Sequence, residues 1–200
     1  MGNLRQRLHA AAATEDRAER TLRVAALLSE SLVAAGAHPV LVGGGAVEIY
    51  TRSAYTTRDL DFVAAVTDEV RAAMSGLGFA AEGRHWVHAD LGLVVEFPAT
   101  ALAPAEAVAI DVDGHALRII AVEDLIVDRL ASWKHWGWEP DGAAAVILLA
   151  AHTDLDRKRL QRRASDEQVS DALRMLSNLA GDEGPVTEAE LRRLRAGLEY

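Results

Sequence analysis

The 200-residue chain contains no cysteine. That excludes a disulfide framework, a zinc–thiolate centre and a thiol nucleophile. No apolar run approaches the roughly 20 residues that span a bilayer. The opening stretch MGNLRQRLHAAAATEDRAER mixes charges and lacks the apolar region of a secretory signal. The last two absences lead to the expectation of a cytoplasmic protein that does not enter membranes; the lack of cysteine does not indicate the compartment. Positive charge is the third shortage: Lys and Arg number 21 against 30 Asp and Glu, a formal net charge of −9. Such a balance opposes general adhesion to nucleic acid or anionic lipid, and leaves room only for a local basic groove. Repeats and long linkers are also missing. What the chain has is apolar content, half of its residues, enough for a real core in one sizeable domain or in a domain with an appended bundle.

Residues 1–36 read as helical, with Leu22, Val24, Ala25, Leu28 and Leu32 at helical spacing and Gly36 as the stop. Val40 to Val42 is a short apolar strand that ends in Gly43, Gly44 and Gly45, and a short helix follows to Tyr50. Asp59 to Val66 is a second strand. Thr67 caps a helix with Asp68 and Glu69 in its first turn, where carboxylates suit the helix dipole. From Phe79 to Pro98 short alternating runs broken by glycines predict a meander. Ala107 to Val112 and Ala116 to Ile120, around Asp113-Gly114, predict a hairpin. From Ala121 the pattern is helical. The segment VEDLIVDRLASWKHW comes first, Pro140-Asp141-Gly142 breaks it, and an Ala-rich helix runs from Ala143 to Ala151. A basic segment starts at Thr153-Asp154, another helix opens at Ser165, and the last opens at Pro185 with Thr187 and ends at Tyr200.

Two stretches carry chemistry. A strand that stops on glycines and turns into a helix brings unpaired N–H groups to a point where a ligand can approach backbone without Cβ atoms, which suits a phosphate; the alternative is a tight turn with no ligand. In Asp59-Leu60-Asp61-Phe62-Val63 strand alternation puts both carboxylates on one face. Two adjacent carboxylates repel each other unless a cation lies between them, and Mg²⁺ favours one or two carboxylates together with substrate phosphates. An exposed edge strand produces the same alternation without a metal. A third carboxylate, Glu96, sits inside the apolar run Leu93 to Phe97, where it needs a partner, a hydrogen bond or a metal.

In order and type, Gly43-Gly44, Asp59-Leu60-Asp61 and Glu96 resemble the motif set of the polymerase β-like minimal nucleotidyltransferases. The resemblance covers about residues 35 to 130, and VEDLIVDRL resembles the Glu-Asp-Leu helix that follows the core in small bacterial toxin or abortive-infection members. It implies an α+β fold: a core of mixed sheet with helices packed on it over residues 1–120, and a C-terminal helical bundle packed on that core over 121–200. It further implies a Mg²⁺-dependent enzyme that moves a nucleoside monophosphate from an NTP to a hydroxyl acceptor and releases pyrophosphate. In that scheme Gly43, Gly44 and Gly45 hold the triphosphate, Asp59 and Asp61 bind two Mg²⁺ ions, and Glu96 is the third ligand or a base. The family's third carboxylate is often Asp, and here it is the longer Glu. Acceptors implied by the resemblance are RNA, such as a tRNA end, a protein, or a small molecule such as an aminoglycoside; a cognate antitoxin would be a partner if the chain is a toxin. Two competing readings are a non-catalytic member of the fold that binds a nucleotide or a partner, and a metal-dependent phosphohydrolase.

Other residues enter at the margin. Arg52, at the exit of the short helix, Arg58, beside Asp59, and Lys134, on the helical side, are candidates for the nucleotide phosphates, against the ordinary reading of solvated surface cations. His85 and His88 are three apart in a strand, face opposite ways and are read as structural or surface groups. Trp133, Trp136 and Trp138 are read as core in preference to a base-stacking platform. The run from Arg157 to Arg163 is read as a solvated helix face that marks where an RNA acceptor would touch.

Overall fold

Two helices, not one, precede the first strand: α1 (Gly2–Ala12) and α2 (Arg17–Ala34). The break comes at Asp16, whose extended backbone and side-chain acceptor, 2.8 Å from the Glu19 N–H, make it the N-cap of α2. In this computed structural model residues 2–102, 104–181 and 186–198 are described, with side chains from Leu4 onward. The chain forms two compact units, Met1–Ala121 and Val122–Tyr200.

In the N-terminal unit β1 (Val40–Val42) leads directly into α3 (Gly43–Tyr50), so the three glycines form the first turn of that helix. β2 (Asp59–Val63) is three residues shorter than the alternation suggested. α4 (Asp68–Leu77) starts on the Thr67 hydroxyl, which accepts from the Val70 N–H, and stops at Gly78 with φ +104°. The meander is β3 (Ala80–Glu82), β4 (His85–His88) and β5 (Leu93–Glu96). β6 (Ala107–Val112) and β7 (His115–Ile120) close on Asp113 and Gly114, both at positive φ, as a two-residue hairpin turn requires.

These seven strands form one mixed sheet in the order β3-β4-β5-β2-β1-β7-β6. β1 runs antiparallel to β2 and parallel to β7, and β2 runs parallel to β5. The register sorts the side chains by face. Leu41 lies opposite Phe62 and Ile119, Leu60 opposite Val95, and Val95 opposite Trp86. All of these are buried, with Leu41, Phe62, Val95 and Ile119 at 0% exposure. α3 lies on this apolar face, since a Cβ on Gly45 would stand 2.8 Å from Leu60 and 3.5 Å from Leu41. α2 packs against α3, α4 and β7. The opposite face carries Asp59, Asp61, Glu96 and His85, all only partly buried. Alternation along two parallel neighbours therefore separates a dry face from a polar one.

The C-terminal unit is helical: α5 (Val122–Trp136), α6 (Glu139–Ala151), α7 (Arg157–Asp166), α8 (Ser170–Leu179) and α9 (Glu188–Ala196). Several boundaries differ from the expectation. Pro140 does not break a helix; it sits in the first turn of α6, where its missing N–H is harmless, and the break is Gly137 at φ +68°. Ser165 lies within α7, and α8 opens at Ser170 instead. Thr187 caps α9 by accepting from the Glu190 N–H, whereas Pro185 and Tyr200 lie outside the described residues.

The tryptophans part company. Trp133 is fully buried, but Trp136 is 85% exposed and Trp138 59% exposed. A shared core is thus corrected: the apolar stripe of α5 ends at Trp133, and the other two flank the Gly137 turn.

The Glu-Asp pair at the start of α5 also has a local explanation. Asp124, with no exposed side-chain surface, accepts from Arg159 and, at 2.8 Å, from Arg163 Nε, while Glu123 accepts the Asp156 N–H at 2.8 Å. The basic run of α7 is therefore only partly a solvated face. Arg159 and Arg163 turn inward, and Arg157, Lys158 and Arg162 are exposed. Burial pulls the Arg163 guanidinium down, yet Asp124 and Glu167 outweigh it and hold the group above its ordinary value.

Candidate active site

β1, β2 and β5 bring the polar groups together. Val42 lies opposite Asp61, and Asp61 lies opposite Glu96, so the last residue before the glycines and the two carboxylates share one line across three strands. Asp59 is two residues earlier on β2 and therefore on the same face. All three carboxylates predicted from the sequence lie on one side of the sheet.

The glycine turn is shaped by β2. Gly43 has φ +61°, which disfavours a side chain, and a Cβ there would lie 2.0 Å from Asp61 Oδ2, so the carboxylate would have to move to admit one. At Gly44 a Cβ would meet the Thr57 hydroxyl at 2.7 Å. Each of the three glycines is thus a place where β2 or the loop before it touches helical backbone. The N-cap of α3 is Val42, whose own side chain makes no capping hydrogen bond. The first N–H groups of the helix have no intrahelical partners by the geometry of any helix end.

Sequence reasoning missed the group that supports this arrangement. Glu48, on α3, is completely buried and accepts from Arg17 Nε at 3.2 Å, the Thr21 hydroxyl at 2.7 Å and the Thr57 N–H at 2.9 Å. Arg17 also donates to the Thr57 carbonyl. The Thr57 hydroxyl in turn donates to Asp59 Oδ1 at 2.7 Å. A buried carboxylate compensated by a guanidinium and two further donors is the form in which such a group is tolerated. Here it ties α2, α3 and the entry to β2 to the orientation of Asp59. The loop it pins is strained at Arg52 (φ +48°) and Ser53 (φ +66°).

Glu96 is engaged on its other side. β4 places His85 opposite it, with Nδ1 2.6 Å from Oε1 but without hydrogen-bond alignment, and Arg84 Nε lies 3.4 Å from Oε2. The carboxylate is drawn toward β4, and among the described residues no group of three or more His, Asp or Glu side chains is placed to hold a metal ion. Asp59 and Asp61 are donors of the type that Mg²⁺ takes, one or two carboxylates completed by substrate phosphates. Glu96, as it stands, does not complete a third position.

The remaining candidates are dispersed. Arg52 is exposed in the loop after α3, and Arg58 is exposed beside Asp59. Lys134 is buried in the C-terminal unit, where Nζ donates to both Asp171 oxygens at 2.8 and 2.9 Å and to the Gln168 carbonyl at 2.8 Å, which uses all three of its donors. Burial pushes the Asp171 carboxyl up, but the hydrogen bond from Lys134 and the Ala172 N–H outweigh it and hold the group below its ordinary value. His88 is buried against Phe79, ring edge to face, and His85 is the neighbour of Glu96. Among the described residues no helix is long and apolar enough to cross a membrane. Comparison with protein-family models, with curated proteins and with solved structures yields no match to this chain.

Proposed function

We propose that the N-terminal unit is a nucleotidyltransferase core of the polymerase β-like kind, which transfers a nucleoside monophosphate from an NTP to a hydroxyl acceptor. The observation that carries this reading is the contact of Gly43 with Asp61. A glycine turn that opens a helix is fitted against one of two partly buried carboxylates that share a sheet face with Asp59. Asp59 and Asp61 would hold Mg²⁺, which supplies charge neutralisation at the phosphates and at the attacking oxygen. The first-turn N–H groups of Gly43 to Gly45 would receive the triphosphate, with Arg52 close by in sequence to neutralise it. Thr57, held by Glu48, fixes the rotamer of Asp59. Lys134 has no part in this assignment, because its charge is compensated within the C-terminal helices.

A second reading is favoured by the engagement of Glu96 with His85 and Arg84: a member of the same fold that binds nucleotide without turnover. The two are separated by incubation of the full chain with each radiolabelled NTP, Mg²⁺ and total RNA or lysate protein, beside Asp59→Ala and Asp61→Ala. Transfer of label that falls at least about 10²-fold in either variant supports catalysis, that being the scale of losing one preorganised charged group. NTP binding without transfer supports the second reading. Transfer that survives both substitutions, or release of inorganic phosphate instead of pyrophosphate, overturns the first. A toxin role would show as growth arrest on expression that is relieved by Asp61→Ala.

A further inference from the structure

A cavity of about 380 Å³ opens beside Asp59 at the beginning of β2 and β5, under the first turns of α2. Arg17, Arg20, Thr21, Thr57, Arg58 and Asp59 contribute its polar wall. The three arginines differ in what compensates them. Arg17 is spent on Glu48 and the Thr57 carbonyl. Arg20 gives one nitrogen to the Thr14 carbonyl at 3.3 Å and makes no ion pair among the described residues. Arg58 makes neither hydrogen bond nor ion pair among them. Two guanidinium groups without a carboxylate therefore border a single cavity in a chain of net charge −9. Such groups match the oxygens of a phosphate in pairs.

The two aspartates also have different neighbours. Asp61 abuts the glycine turn, and Asp59 borders the cavity. We propose that the cavity is the acceptor's seat and that the acceptor is a small phosphate monoester, its phosphate between Arg20 and Arg58 and its hydroxyl directed toward Asp59. This rests on the nucleotidyltransferase reading. The volume lies within the roughly 300–1,000 Å³ of small-molecule sites, and the acidic remainder of the chain repels a long polyanion, so a single phosphorylated unit fits better than a length of nucleic acid. In the transfer the acceptor oxygen bonds to the α-phosphorus of the NTP, the bond from that phosphorus to the α–β bridging oxygen breaks, pyrophosphate leaves, and the hydroxyl proton goes to solvent.

The test is calorimetric titration of the full chain with ribose 5-phosphate and with ribose, in the absence of metal and NTP. Saturable binding of ribose 5-phosphate but not ribose is expected. Arg20→Gln and Arg58→Gln should each weaken it about tenfold, the loss of one charge-assisted contact, whereas Arg157→Gln, at an exposed arginine of α7, should leave it unchanged. Circular dichroism verifies that the variants are folded. No saturable binding, or equal binding by the double arginine variant, overturns the proposal. Tighter binding of a 5′-phosphorylated oligonucleotide that the same variants lose would overturn the small-molecule assignment in favour of nucleic acid. Because neither metal nor NTP is present, phosphate binding without label transfer removes the transferase reading and the acceptor role with it, and leaves a phosphate site. Label transfer without phosphate binding removes only the seat.

Discussion

Asp59 and Asp124 are each followed by leucine near the start of an element, yet their surroundings differ. Asp124 has no exposed side-chain surface and is clamped by Arg159 and Arg163. Asp59 is only partly buried, receives the Thr57 hydroxyl at 2.7 Å, and makes no ion pair among the described residues. Glu48 belongs with Asp124: buried, and provided with Arg17 and two further donors. A carboxylate that brings its own counter-ion has its charge already satisfied and serves the fold. One oriented by a neutral hydroxyl has no such cation beside it.

That contrast can be broken by measurement. Asp124→Ala should have the largest effect, because it removes the buried carboxylate that two inward-turned guanidinium groups share; a loss of about 3–5 kcal/mol is expected, read as a lowered urea midpoint of the helical signal. Glu48→Gln keeps an acceptor for the Thr57 N–H but removes the charge opposite Arg17. It should cost about 2 kcal/mol, in the range of hydrogen bonds to charged groups, measured by the same unfolding curve. Asp59→Asn should move stability least, by under about 1 kcal/mol, since the amide oxygen still accepts from Thr57. An Asp59→Asn protein as destabilised as Asp124→Ala would make Asp59 one more structural carboxylate and remove the distinction.

Several local signals were legible where the deciding interaction is short-range. β1, its glycine stop, the Thr67 cap and the Asp113-Gly114 hairpin all rest on residues within a few positions of one another. Glu48 was not legible, since its partners Arg17, Thr21 and Thr57 lie on other elements and nothing in its own helix marks it as buried. Alternation could place Asp59 and Asp61 on one face. It could not reveal that β4 would set His85 against Glu96, because that depends on the register of a separate hairpin. The tryptophans show the same limit: three-residue spacing identifies a shared helical face but not where along the helix the neighbours end. The break at Asp16 had its own signal, an Asp followed three residues later by Glu, but the continuous apolar stripe beyond it obscured the cap.

The strand order has a consequence in time. β1 has β2, its near neighbour in the chain, on one side and β7 on the other, while β2 must wait for β5 to complete its second edge. The hairpin-like pairing of β1 with β2 can form as soon as both are made, and it brings Asp61 to the end of β1. Both parallel pairings join strands far apart in sequence, and the closure of such long loops is slow. During synthesis the chain therefore passes through a stage in which the aspartates are present without β5 beside them. The face that carries them is assembled only as the sheet closes.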